Sequence, residues 1–266
     1  MNGRPFLEIL SSVVNEEYRF PVLEVFAALF ALGTLVLAGL FGSSGHFAGT
    51  DEGAAFTLVN SLTGLPVLVL VVLMLKNIAY GLGNDLENGV LRTYLSYPLK
   101  RSSLLSARLL SAIGIGLLLF LGISLLALGL TSTETILSQP VPVALSYLGA
   151  LCYPLLIVGL VLLLTLTMGR GGPALLAGIL LYFASGILSS LLGFLGAALD
   201  SGLPLRAFAL IRPDIALQRH YTTGMFAEEL WVPTLVEAVT YTFLGYVLVA
   251  LVFAAGYLYF ARRLET

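Results

Sequence analysis

His46 and His220 are the only histidines in the chain, Cys152 is the only cysteine, and fifteen Asp and Glu residues complete its stock of metal-ligating and carboxylate groups. Neither histidine has a second ligand at metal-binding spacing, so no metal centre or metallohydrolase chemistry is expected. Cys152 alone can form neither an internal disulfide nor a metal set, and it reads as a small buried apolar residue. The nucleophile elbow G-x-S-x-G is absent. So is G-x-x-x-x-G-K-[ST], which leaves the chain without a phosphate loop for ATP. Glu24, Lys76 and Glu237 fall near the ends of long apolar runs, where snorkelling or interfacial placement accounts for them. Spans this empty of charge argue against a proton-driven transporter. Asp200, Asp214, Glu228, Glu229 and His220 share one polar segment but show no catalytic spacing. One charge is left in an unusual setting: Glu87, inside the longest polar interruption of the first half, Gly81 to Arg108.

The elements that must position this stretch are membrane helices. The chain is 58% hydrophobic and 11% charged, with a mean hydropathy of +0.99, whereas soluble domains are about a quarter charged. Six runs supply the 20 or so apolar residues a spanning helix needs: Pro21 to Leu40, Leu58 to Tyr80, Leu104 to Leu130, Val141 to Met168, Ala174 to Ala197 and Leu235 to Ala261. No period-2 alternation runs through them, which favours helices over a barrel. Ahead of them, Phe6, Ile9, Leu10, Val13 and Val14 share one face of a helical wheel and Glu8, Ser11, Ser12, Asn15 and Glu16 the other. Residues 1–20 therefore read as an interfacial amphipathic helix and turn. The start lacks the basic and apolar regions of a signal peptide and is read as mature sequence. No repeat or linker divides residues 1–266, so a single membrane domain is expected.

The positive residues set an orientation. Arg4, Arg19, Lys76, Arg92, Lys100, Arg101, Arg108, Arg170, Arg262 and Arg263 fall on one side of the six spans, while the first two loops opposite hold no Lys or Arg. The rule that positive loops stay inside makes both termini and the Gly81 to Arg108 loop cytoplasmic. Residues 198–234 form a long extracytoplasmic segment, and Arg212-Pro213-Asp214 within it looks like a helix start. Trp231 and Tyr221 are expected at the outer headgroups. In the fifth span Ser185, Ser189 and Gly193 recur four apart, which permits close helix packing either within one subunit or between two. Asn60, Ser61 and Thr63 in the second span could line a polar path or bond to backbone. The net charge of −2 gives no field that would favour nucleic acid.

At about 100° per residue, Asp85 to Tyr97 place Leu86, Val90, Leu91, Tyr94, Leu95 and Tyr97 on one half of a wheel. Asn84 or Asp85 can cap the start and Pro98 ends the helix. Glu87 lies within the apolar arc, which sets a lipid-lying helix against one that faces a partner. Arg101 and Arg108 lead into the third span, where cations meet anionic headgroups.

Glu87-Asn88-Gly89-Val90-Leu91, followed by Leu95-Ser96-Tyr97-Pro98-Leu99-Lys100-Arg101, resembles the E-x-G-[TS]-L-x-x-L-L-[ST]-x-P-[ILV]-[ST]-R pattern of type-2 ABC exporter permeases. The plan of six spans, an amphipathic leading helix and a long outer segment before the last span is similar too. Val90, Tyr94 and Lys100 depart from the pattern. The resemblance implies a permease subunit in the plasma membrane of a prokaryote. It would form the translocation path with a second permease subunit, identical or homologous, within membrane lipids. It would have no catalytic site or cofactor of its own, ATP and Mg being bound by separate ABC ATPase subunits. Residues 81–103 would be the cytoplasmic coupling loop, with Glu87, Gly89, Leu91, Leu95, Pro98 and Arg101 docking the ATPase. A non-transporting scaffold or regulatory subunit bound to an ABC ATPase would share that loop and is the alternative.

Overall fold

The computed structural model describes residues 4–41, 50–90, 101–222 and 230–263. Among these residues there is no strand, and six helices are long and apolar enough to cross a membrane. In chain order the elements are α1 (Arg4–Glu17), α2 (Val22–Phe41), α3 (Asp51–Leu75), a π-helical segment π1 (Lys76–Leu82) and α4 (Gly83–Glu87). After residue 100 come α5 (Arg101–Leu109), π2 (Leu110–Ile115), α6 (Gly116–Ser138), α7 (Pro140–Met168), α8 (Gly171–Ala198), α9 (Leu203–Ala209), α10 (Pro213–Tyr221) and α11 (Leu235–Arg263).

Two spans form the centre. α3 and α7 are mostly buried, and α2, α6, α8 and α11 pack around them with their outer faces exposed. Their shared core holds Phe30, Leu62, Leu70, Met74, Phe120 and Leu162, all essentially inaccessible. The second span is longer than its apolar run: one continuous helical path covers Asp51–Glu87, beginning seven residues before the expected Leu58 and passing seven beyond Tyr80. Its start is capped, with the Thr50 hydroxyl accepting from the Gly53 N–H and Asp51 and Glu52 in the first turn facing the positive end of the helix dipole. Hydropathy trims such ends because they are polar, although they are helical.

The polar stretch between the second and third spans is likewise not a loop over its whole length. Its first residues continue the second span and its last residues, from Arg101, begin the third. No side chain caps α4, so the expected cap at Asn84 or Asp85 is not formed; Leu82 before it is already helical. The single helix expected from Asp85 to Tyr97 is broken: α4 ends at Glu87, Asn88 leaves helical geometry, and Gly89 takes φ +70°. That left-handed conformation suits glycine and stops a helix there. α4 therefore stops short of Gly89, and Glu87 is exposed on α4 instead of sitting in an apolar arc. Leu91, Leu95, Tyr97 and Pro98 lie outside the described residues.

α1 follows its expected periodicity, with Val13 buried and Glu8, Ser11, Ser12 and Asn15 exposed. Its apolar face rests on α5 and π2. At the opposite end, Pro213 opens α10 at its first position, as its sequence signal indicates. α9 and α10 do not lie across the end of the bundle. Pro213 meets Gly245, the eleventh residue of the 29 in α11, and Asp214 and Leu217 meet Gly149, the tenth of 29 in α7. At 1.5 Å per residue this puts the start of α10 some 15 Å down both helices. The segment dips into the bundle. Trp231 and Tyr221, expected at the headgroups, are instead 3% and 7% exposed, packed with Phe56, Leu205, Leu217 and Ala238. The dipping segment supplies a protein environment where the sequence had implied lipid.

Candidate functional site

Two sets of charged side chains gather at different depths. The first lies where α1, α4, α5 and the π segments meet. Arg108 donates from Nη1 to Glu17 Oε1 at 3.3 Å and from Nη2 to Glu16 Oε2 at 3.1 Å and to Asp85 Oδ2. Ser111 donates to Glu17 Oε2 at 2.6 Å, Lys76 to the Glu17 carbonyl at 3.1 Å, and the Tyr18 hydroxyl to the Ser111 carbonyl at 3.2 Å. The Arg108 side chain is 7% exposed, that of Glu17 4% and that of Asp85 14%. Lys76 and Ser111 belong to π1 and π2, and a π turn rotates the side chains beyond it relative to the preceding helix, a feature common at functional positions. Burial raises the Glu17 carboxyl above its ordinary range, opposed by the Ser111 hydrogen bond and the Arg108 charge. Arg108 is thus not a headgroup-facing cation as expected; it is consumed by carboxylates from α1 and α4.

Beside this cluster the second span is locked to the fifth. A Cβ on Gly83 would come within 2.4 Å of the Gly171 Cα, and one on Gly171 within 2.4 Å of the Ala79 carbonyl oxygen. Backbone contact this close transmits displacement with little slack. Glu87 and Gly89 lie one and three residues beyond Leu86, which packs on the core, and Arg101 is the first residue of α5. The described elements nearest that stretch are α4 and α5, both tied to α1 by Arg108.

The second set is at mid-depth. Arg212, just before α10, forms a two-pronged pair with Asp214, from Nε to Oδ1 at 3.2 Å and from Nη2 to Oδ2. Its Nη1 donates to Ser185 Oγ at 3.4 Å, and its guanidinium lies 5.3 Å from the Tyr153 ring centroid. Tyr153 donates to the Leu181 carbonyl at 2.7 Å and stacks on Tyr182. Ser185 is the fifteenth of the 28 residues of α8 and Tyr153 the fourteenth of 29 in α7, so the pair is carried halfway along the spans. These groups, with Asn60 and Thr63, line a cavity of about 280 Å³. A second cavity of about 560 Å³ adjoins it, lined by Leu156, Leu160, Ile187, Leu191, Leu248 and Val252, and Tyr153 and Ser185 wall both.

Among the other residues singled out from the sequence, Asn60 and Thr63 line the smaller cavity, Thr63 also donating to the Asn60 carbonyl at 3.2 Å, while Ser61 does not line it. Ser185 is directed into it, Ser189 is half-buried, and Gly193 borders open space. Glu237 has a local role: its carboxylate accepts from the Thr234 N–H at 2.9 Å while Thr234 Oγ1 accepts from the Glu237 N–H at 3.2 Å. This is a capping box at the start of α11, legible in Thr234-x-x-Glu237. Cys152 is free and buried, and no metal-binding group of His, Cys, Asp and Glu occurs among the described residues.

No protein-family model and no curated protein matches the chain.

Proposed function

We propose that the chain is a transmembrane permease subunit of an ATP-driven exporter of the type-2 ABC class. It pairs with a second permease subunit, identical or homologous, and with separate ATPase subunits that bind ATP and Mg. The observation that carries this reading is the anchorage of the segment bearing the E-N-G-V-L motif. Asp85 lies two residues before Glu87, Arg108 seven beyond Arg101, and the two side chains are bonded to each other, Arg108 also to Glu16 and Glu17 of α1. A push delivered to that segment would move α1 and the second and third spans together. The Gly83–Gly171 contact would pass it to the fifth span. Such rigid-body shifts of packed elements are how a local event becomes alternating access.

The orientation that goes with this proposal has the α1 end in the cytoplasm of a prokaryotic cell. Lys76, Arg101, Arg108, Arg170 and Arg262 all belong to that end. Gentle extraction from the native membrane should bring down an ATPase, and Glu87→Arg should weaken that association at least tenfold, about 1.4 kcal/mol, while the variant stays inserted and monodisperse. An extract that never contains an ATPase sinks the proposal. Unchanged association in the variant removes Glu87 from the contact.

A further inference from the structure

We propose that the two adjoining mid-depth cavities form one binding site for a membrane amphiphile with a single alkyl chain and a head group of zero net charge. The head sits against Arg212 and Asp214 and the chain lies between α8 and α11.

Three features carry this. The first is the sharp change of lining across two residues. On one side of Tyr153 and Ser185 stand Asn60, Arg212 and Asp214 among apolar neighbours such as Val67, Ala150 and Phe183; on the other the wall is Leu156, Leu160, Ile187, Leu191, Leu248 and Val252. A wholly polar ligand would leave the larger cavity empty, and a wholly apolar one would desolvate an ion pair without replacing its water. The second is charge. Arg212 is committed to Asp214 on two nitrogens, to Ser185 on the third, and to the Tyr153 face. The Arg212 and Asp214 charges cancel while two guanidinium N–H groups and the carboxylate lone pairs stay open, so the pocket as built favours hydrogen-bonding heads whose own charges cancel. The third is size and access. About 280 and 560 Å³ together fall in the range of small-molecule sites. The larger cavity offers one apolar groove, which a single alkyl chain can occupy. Ile187 and Leu191 are 67% and 58% exposed, so the groove opens sideways to the surrounding bilayer.

A glycerol head and a zwitterionic phosphocholine head share the required chemistry, and the test separates them. The full chain is placed in lipid nanodiscs with one of four probes of equal chain length, each carrying a photoactivatable diazirine near the chain end. The probes are a monoacylglycerol, a lysophosphatidylcholine, a fatty acid and an alkyltrimethylammonium. Labelled peptides are mapped by mass spectrometry, with and without excess unlabelled compound.

At least one of the two neutral-head probes should label peptides containing Ile187, Leu191 or Leu248 saturably, and which of them does so names the head. Ala184→Trp, at an exposed position lining the groove, should cut that labelling at least tenfold. The fatty acid and the ammonium should label no more there than on the exposed face of α2 at Leu32 and Val36. Non-saturable labelling equal to that of α2 would show surrounding lipid only and overturn the site. Equal labelling by a charged probe would overturn the head assignment, and undiminished labelling of a folded Ala184→Trp would overturn the chain path. If that variant fails to fold, saturation in the unaltered chain decides alone. None of these readings needs an ATPase, so failure here leaves the permease proposal standing.

Discussion

The two ionic clusters use the same chemistry in opposite settings. Around Arg108 three carboxylates converge on a guanidinium that is 7% exposed, and Ser111 and Lys76 donate to the Glu17 carboxylate and carbonyl beside it. Around Arg212 a single carboxylate makes the pair, the two side chains are 25% and 20% exposed, and a cavity lies alongside. A buried ion pair is weak evidence of stability in general, because desolvation offsets most of the attraction. What separates the two is how much free space adjoins them. The Arg108 cluster, with Arg108, Glu17 and Asp85 largely enclosed and Glu16 at the surface, ties α1, α4 and α5 together. The one beside a cavity leaves hydrogen-bonding groups that a ligand can use.

The sharpest way to break this contrast is Arg108→Gln. It removes one cation from a closed site and leaves Glu17 and Asp85 buried without their main partner, which in such settings costs about 3–5 kcal/mol. A large drop in thermal midpoint in detergent is expected, along with protease sensitivity near residues 16–22 as α1 comes loose. A loss under about 1 kcal/mol would mean the cluster is no latch. Asp214→Asn tests the other side and should cost less, about 2 kcal/mol, because Arg212 keeps Ser185, the Tyr153 face and the adjoining cavity. Its main effect should be on ligands, since the pocket then carries a net positive charge. A fatty acid should label the groove where it did not before.

A smaller effect separates backbone from contact in the proposed docking segment. Gly89 has φ +70° with no atom near the position of a Cβ. Gly89→Ala should therefore destabilise the turn by about 1 kcal/mol through conformation alone. Gly89→Asn should be nearly neutral, because asparagine tolerates that region. ATPase association measured on both variants reports whether the turn itself matters. Equal loss in the two would point to a direct contact at residue 89.

The six spans were legible from apolar run length, α1 from its 3.6-residue period, and the start of α10 from Arg212-Pro213-Asp214. Those signals are local. The π segments were not legible, because Lys76 to Leu82 and Leu110 to Ile115 are ordinary in composition and their widening follows from what they pack against. Neither was the pairing of Arg108 with Glu16 and Glu17, some ninety residues away, although two adjacent acids ending an amphipathic helix could have raised the question. The largest change concerns charge. Emptiness of the apolar runs implies that no charge reaches the middle of the bundle, but the start of α10 dips into it with Arg212 and Asp214. Run length cannot reveal a segment that enters the bundle without being apolar. The capping box at Thr234 and Glu237, in contrast, was readable and explains a charge first assigned to the interface.

The finest test concerns the sign of a pH effect. Three carboxylates face two cations in the Arg108 cluster, an excess of one negative charge when all are ionised. Glu16, Asp85, Arg108, Lys76, Ser111 and Tyr18 are the polar and charged groups that surround Glu17, and burial is the largest influence on it, raising its carboxyl above the ordinary range. A carboxyl whose folded value is raised binds its proton more tightly in the folded state than in the unfolded one. It therefore contributes most stability below the ordinary carboxylate range and loses it as pH rises through the raised value. Glu17→Gln keeps a group that can accept from Ser111 and removes the surplus charge. At neutral pH the variant should equal or slightly exceed the unaltered chain in thermal midpoint, within about 1 kcal/mol. Below the carboxylate range the order should reverse or vanish. If Glu17→Gln instead costs as much as Arg108→Gln at neutral pH, Glu17 is an ionised partner of Arg108, and the closed cluster is held by charge attraction in place of packing around a shared guanidinium.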